Sequence, residues 1–467
     1  MLSLTSELTM KKLSLIFLCA LPLLATSQTL LYNDGAIIKV QPGATLYVEG
    51  GIHNTASGTI DNDGTIEVQG NFLNQGTWEN SQPNTLRFSG TGLSQVTPGS
   101  AIFDDVDITK NGNQVELLDN MTIAGDLTFN AGASGSRIRL GNNNLILTAA
   151  STISGYDNNE YVETNGTGVI QKTVTANGAF LFPVGDAINY SPLNAAYTGT
   201  AYSSANLRVR TVNAAHPNKP ADATDFIGRY WRVESTGITN YSNTMTGTYA
   251  AADLTGSAAM VKGAVYDYNG APADWYYFDA ANSGNTVTGS TTDATVDFTG
   301  TNFFGKVNLK VFLQAAYNPS TDMMNTTLTN NATVRAQMLN SPYGDAPATT
   351  TDAILQTGVV DWVKIELRDP STPATIVGRA SVLLKNDGTL INPDGTPIAK
   401  VKDGLPTSIV GVVHRNHLGI RTPNAGINVV TPTLHNFTTS TAQAFTNGSI
   451  SNTNMTEVES GDWAMWG

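Results

Sequence analysis

Cysteine is nearly missing from this sequence: the one thiol, Cys19, lies in an N-terminal apolar stretch read below as a cleaved leader. A chain without it has no disulfide framework, no cysteine nucleophile, no thiolate zinc site and no iron–sulfur cluster. Charge is also scarce. Asp, Glu, Lys and Arg make up 13% of the residues, against roughly 25% in an ordinary soluble domain. Lys and Arg number 25 against 38 Asp and Glu, for a net charge of -13, and this balance argues against nucleic acid as a partner, because counterion release needs clustered cations. Outside the N-terminus no run reaches about 18 unbroken apolar residues, so the rest of the sequence holds no candidate transmembrane helix.

What fills the water-facing positions instead is neutral and polar. Thr, Asn and Ser are abundant and Gly stands at 44 of 467 residues. Helices usually carry Glu and Lys on their wet face, whereas half-buried strands accept Thr, Ser and Asn there, so the composition predicts an all-β protein. The length suggests about three domains.

Lys11 and Lys12 precede an apolar run over residues 13–24, interrupted by Ser14 and Pro22, and Ala25-Thr26-Ser27-Gln28 follows. This has the charged, apolar and small-residue parts of a secretory signal, with cleavage expected between Ser27 and Gln28, and it predicts a secreted or outer-surface location. Residues 1–9 read as an over-extended start. A buried N-terminal helix is the alternative.

After the leader a period of 20 is legible. Leu46-Tyr47-Val48-Glu49-Gly50 recurs as Ile66-Glu67-Val68-Gln69-Gly70 and as Leu86-Arg87-Phe88-Ser89-Gly90. A second unit, Ile52-His53-Asn54, is echoed by Phe72-Leu73-Asn74, with Ile60-Asp61-Asn62 and Trp78-Glu79-Asn80 as variants. Alternation at period two puts Leu46, Val48, Ile66, Val68, Leu86 and Phe88 on one face, and a fixed period stacks those faces into a core. The pattern predicts a parallel β-solenoid with two strands per coil, its Asn residues stacking at turns with each amide bonding the next coil. A β-meander with regular hairpins is the alternative.

The repeat fades by residue 175. From 176 to 305, aromatics at strand spacing in Phe226-Ile227-Gly228-Arg229-Tyr230-Trp231-Arg232-Val233 and in Trp275-Tyr276-Tyr277-Phe278 predict an antiparallel β-sandwich. Trp231, Trp275 and Tyr276 read as core anchors, or alternatively as a platform that stacks on sugar rings. Residues 306–436 predict a second sandwich, with a loose segment over 318–351, and 437–467 read as a polar tail with a truncated end. The expected division is therefore a leader (1–27), a solenoid (28–175), two Ig-like sandwich modules (176–305 and 306–436) and the tail.

The series Leu86-Arg87-Phe88-Ser89-Gly90, Ile102-Phe103, Ile123-Ala124-Gly125-Asp126-Leu127, Thr164-Asn165-Gly166-Thr167-Gly168 and Phe182-Pro183-Val184-Gly185 resembles the large secreted surface proteins of Bacteroidota, described as adhesin-like or hemagglutinin-like. His414-Arg415-Asn416-His417-Leu418, with Asp361-Trp362-Val363 and Asp387-Gly388, is similar to a C-terminal module of the same proteins. The resemblance implies an extracellular scaffold or attachment role and names no ligand. It also implies a following calcium loop, which this sequence does not contain.

Catalytic and metal patterns are few. His414 and His417 are spaced by three in a strand and its exit, which predicts opposite faces and a structural cluster, with a metal site as the weaker alternative. Asp61-Asn62-Asp63-Gly64 opens like a calcium loop, but position twelve is Phe72 where a bidentate Glu is needed, so calcium lacks a complete motif and no cofactor is expected. Asp104, Asp105 and Asp107 could serve a lyase or glycosidase on a solenoid groove, yet they read as an ordinary wet face. The sequence as a whole predicts a non-catalytic attachment protein whose partners are glycans or extracellular-matrix components. A ligand-free spacer and the carbohydrate-active enzyme are the alternatives. N-terminal sequencing of the exported protein is expected to begin at Gln28; Met1 or Met10 retained would overturn the leader.

Overall fold

The computed structural model describes residues 30–130, 135–269, 274–278, 284–446 and 454–467. The leader, with Ser27 and Gln28, lies outside them. The chain is about half strand and 6% helix, and it opens with a parallel β-solenoid of about seven turns.

Each coil carries three short strands. The first face stacks Leu31–Asn33, Ile52–Asn54, Phe72–Asn74, Ser94–Thr97, Gln114–Leu117, Arg137–Arg139, Tyr161–Glu163 and Val184–Gly185, all parallel. The second stacks Thr45–Val48, Thr65–Val68, Thr85–Phe88, Asp105–Ile108, Leu127–Phe129 and Ile153–Ser154. The third runs Ile37–Val40, Thr59–Asn62 and Thr77–Glu79, breaks, and resumes at Ile102–Phe103, Met121–Ile123, Leu145–Leu147 and Ile170–Thr173. Two strands per coil was thus an undercount. Ile60-Asp61-Asn62 and Trp78-Glu79 belong to the third face, where Ile60 lies opposite Trp78. Its strands start at the unevenly spaced positions 37, 59 and 77 and, after the break, 102, 121, 145 and 170, so this face does not stand apart as a fixed period in the sequence.

The repeat strings stack in the register their spacing implies. Leu46, Ile66, Leu86 and Val106 are consecutive partners, as are Val48, Val68, Phe88 and Ile108. Ile66, Val68, Leu86 and Phe88 are fully buried. Phe72 meets Trp78, Phe88 and Phe103 edge-on at ring separations of 5.8, 6.4 and 5.8 Å, the geometry that the aromatic quadrupole favours. On the outer surface Arg87 bridges Glu67 and Asp107 of the coils on either side.

The corners are held by side-chain amides. Asn33 donates to Asn54 Oδ1 and Asn54 donates to Asn74 Oδ1, both at 2.8 Å, and all three residues are buried. Asn74 closes the series on the carbonyl of Pro98 at 3.1 Å. An amide can both donate and accept, so identical residues satisfy one another from coil to coil with no group left over. Further along, Lys110 takes over a corner: its ammonium is buried and donates to the carbonyls of Gln69 and Ser89 and to Ser94 Oγ at 2.8–2.9 Å. Burial lowers its pKa to about 8.

The solenoid does not end in a loose linker. Ile170–Thr173, the last strand of the third face, pairs antiparallel with Ala201–Val212, which pairs in turn with Tyr230–Thr239 and through it with Thr295–Asn302. A second antiparallel sheet, Gly178–Phe182, Leu193–Thr198, Ser242–Thr248 and Thr286–Thr291, contributes Leu193, Met245 and Val287 to the same hydrophobic core. That core is continuous from Val40 in the first coil to Phe298. Fully buried Arg229 ties the join, pairing with Asp186 beside the last coil and with Asp253 at 2.9 Å.

A second core forms around the antiparallel strands Leu390–Ile391, Ile376–Lys385, Val359–Arg368, Thr407–His414 and His417–Arg421, in that order, and it also takes in Ala264, Tyr266, Trp275 and Tyr277 of the preceding stretch. Within the segment read as loose, Met338 packs against Trp362, as does Leu355 just beyond it. The short helix Ala332–Gln337 inside the segment and the helix Asp352–Leu355 that follows it start on Asn331 and Thr351 side-chain caps. Within the stretch read as a polar tail, Met455–Glu459 and Asp462–Met465 form a hairpin that buries Met455, Ala464 and Met465.

Replacing Asn54 by Ala leaves buried Asn74 Oδ1 without its donor, while the Asn33 amide keeps the Ala36 and Thr59 carbonyls, so unfolding in urea is expected to show a loss of about 1–3 kcal/mol for the acceptor left unpaired. Ala at exposed Gln75 is the control, expected to stay within about 0.5 kcal/mol of the parent.

Candidate functional site

A cleft of about 580 Å³ lies between residues 235–242 and 292–294. It exists because Tyr230–Thr239 outruns its neighbour: Thr295–Asn302 pairs with it only over residues 231–234, and one further bond joins Ser235 N–H to the Ala294 carbonyl. Beyond that point the chain bends. Gly237 has φ +70°, and a β-carbon there would lie 2.2 Å from the Ser203 carbonyl, so only glycine fits. Asn240, at φ 52°, turns the chain into Ser242–Thr248. The cleft is lined by Ser235, Thr236, Gly237, Ile238, Asn240, Tyr241 and Ser242 on one segment and by Thr292 and Ala294 on the other.

Tyr241 is 8% exposed, and its hydroxyl, near the Ser235 and Asn243 side chains, forms no well-aligned hydrogen bond with either. Burial pushes the phenol up to about 12, so it is a neutral hydroxyl at any physiological pH. The amide of Asn243 beside it is fully buried and likewise makes no well-aligned hydrogen bond at its oxygen or its nitrogen. The sequence carried no signal for this place: Ser, Thr and Gly at strand spacing look like any wet surface, and Thr292 arrives only through sheet pairing.

The aromatic candidates are elsewhere. Trp231 is fully buried, donates through Nε1 to the Ser191 carbonyl at 2.8 Å and stacks on Phe298. Trp275 is buried too and donates to the Asn218 carbonyl at 2.9 Å. Neither ring has a free face for a sugar, so both serve as core anchors. Tyr276 is half-buried under the Lys306 ammonium. Close to Trp275 is a buried polar knot. His216, packed among Tyr230, Tyr266 and Trp275, meets Asp297 at 3.0 Å, and Asp297 also accepts from Arg232 and Tyr268.

His414 and His417 correct the expectation of opposite faces. The chain reverses at Arg415-Asn416, so the two residues are cross-strand partners, with Nδ1 atoms 2.9 Å apart. One proton arrangement leaves no donor facing a donor. Ala315 N–H donates to His417 Nε2, His417 Nδ1–H to His414 Nδ1, and His414 Nε2–H to Asp361 at 3.2 Å. Arg415 also donates to Asp361, at 2.8 Å. The His414 nitrogen that faces Asp361 is the one remote from His417, so the three side chains form a chain of hydrogen bonds and do not converge on one point.

The carboxylates of the solenoid are occupied. Asp105 accepts from Asp126 N–H at 2.8 Å, Asp104 from Asn84 N–H at 3.2 Å, and Asp107 from Arg87. Asp63, in the stretch that opens like a calcium loop, caps Ser81 and Gln82 and pairs with Lys39, which holds it down at about 2. A different acidic group forms in the third unit, where ligand-capable oxygens of Asp322, Glu459 and Asp462 lie within 4.8 Å of one another and Tyr317 donates to Asp462 at 2.8 Å. These residues are too far apart in sequence to have suggested it. By themselves three carboxylates fall short of the roughly six to eight oxygens calcium takes.

No family model, curated protein or solved structure matches this chain. Among the described residues no helix is long and apolar enough to cross a membrane.

Burial and the neighbouring His414 lower the His417 pKa to about 4. Below about pH 6.5 an unfolded chain therefore protonates this ring while the folded one does not, and stability drains away as pH falls from about 6.5 to about 4. His417→Gln is expected to shrink the drop in Tm between pH 7 and pH 4.5; an unchanged drop would show that other groups set it.

Proposed function

We propose that this chain is an extracellular, non-catalytic attachment protein, in which the solenoid is a stiff stalk and the two downstream antiparallel modules are β-sandwich, Ig-like display units. The observation that carries the reading is the sheet continuity between Ile170–Thr173 and Ala201–Val212. A hydrogen-bonded join with a shared core fixes the second module against the stalk, as a binding surface held away from its anchorage requires, whereas a flexible linker would let it fold back. Neutral polar outer surfaces and the similarity to secreted Bacteroidota surface proteins support the same role. Asp104, Asp105 and Asp107 each accept a hydrogen bond from a neighbouring coil, which favours a structural role for them over the lyase or glycosidase alternative.

Attachment predicts saturable binding to one class of glycan or matrix component when the purified secreted chain is applied to a glycan and host-matrix array, with and without calcium. Silence across the array from a folded sample would favour a spacer. New reducing ends or unsaturated products from a polysaccharide panel, lost on Asp105→Ala, would favour an enzyme.

A further inference from the structure

Building on the attachment reading, we propose that the cleft between residues 235–242 and 292–294 is a binding site for a neutral oligosaccharide. Its volume of about 580 Å³ falls within the roughly 300–1,000 Å³ typical of small-ligand sites. No Asp, Glu, Lys, Arg or His lines it. What does line it matches a sugar. Ser235, Thr236, Ser242 and Thr292 offer hydroxyls that both donate and accept, and Asn240 adds an amide. Ile238 and Ala294 supply an apolar patch of the kind that packs against the C–H face of a pyranose.

The second observation is weakly met hydrogen-bonding capacity next to the lining. Buried polar groups are nearly always paired, because leaving one dry and unpaired is costly. Here the hydroxyl of Tyr241, a lining residue, and both ends of the Asn243 amide, which lies behind the lining, form no well-aligned hydrogen bond. A small shift of the Tyr241 ring toward the cleft would let its hydroxyl bond a ligand hydroxyl there. An anionic polymer finds no cation in the lining, which is why the proposal commits to a neutral sugar.

The test titrates the purified secreted chain with neutral tetrasaccharides (cello-, chito-, manno- and galacto-series), with a heparin tetrasaccharide and tetragalacturonate as charged counterparts. At least one neutral tetrasaccharide is expected to bind saturably. Ala294→Trp, at an exposed wall position, is expected to weaken it about tenfold or more with Tm unchanged, and Tyr241→Phe to weaken it to a similar extent. Thr236→Trp, also at an exposed position, replaces the tyrosine variant if that one folds poorly. Neutral binding indifferent to Ala294→Trp would overturn the site while leaving attachment intact, as would binding confined to charged sugars or to a matrix protein on the array. Absence of binding in both titration and array would overturn both.

Discussion

The parallel register between successive coils is the constraint on which the rest of this molecule depends. Backbone ladders fix which residue lies above which, and one residue of slip would turn every inward side chain outward. The Asn33–Asn54–Asn74 series locks that register, since a buried amide displaced by one residue loses partners on two sides at once. Once the register is set, Ile66, Leu86 and Val106 pack as one column, and Glu67, Arg87 and Asp107 meet as an alternating charge row on the outside. The surface pairs add little by themselves. The apolar column and the buried amides carry the stability.

The same ladder determines how the solenoid stops. A parallel stack has two raw ends, and an unpaired strand edge invites association. At the C-terminal end the third face is continued by an antiparallel strand, and the core passes beneath it into the second module. Arg229, buried between Asp186 and Asp253, makes that join specific. Asp186 lies beside the last coil while Arg229 and Asp253 belong to the module, so the pair with Asp186 crosses the join and removing that carboxylate would leave the buried guanidinium short of one of its two counter-charges. The opposite end is different: Leu30 and Ile37 of the first described coil are more than half exposed.

Beyond the solenoid the polar groups are arranged in two ways. Ionic groups are gathered into closed knots, such as His216–Asp297–Arg232–Tyr268 and Asp361–His414–His417, where hydrogen bonds run from group to group. The cleft over Tyr241 follows the opposite rule, with neutral groups and spare hydrogen-bonding capacity. A closed knot positions strands; open capacity is what recognition of an uncharged polar ligand needs.

The sequence by itself determined the all-β character and the solenoid, because a 20-residue period and its inward apolar positions are local properties that stacking merely repeats. It also foretold the Asn ladder, since an amide recurring at a fixed spacing has one obvious partner. The third strand of each coil was hidden because its recurrences, starting at 37, 59 and 77 and then at 102, 121, 145 and 170, keep no fixed period. The His414–His417 pairing was missed because a two-residue reversal inverts the facing that an unbroken strand would have. Burial of Trp231 and Trp275 was one of two readings that strand spacing allowed, and only the opposing sheet chose between them. The cleft was decided by tertiary structure alone: it is defined by where one strand outlasts its neighbour, a difference in length between segments some 60 residues apart that no local pattern records.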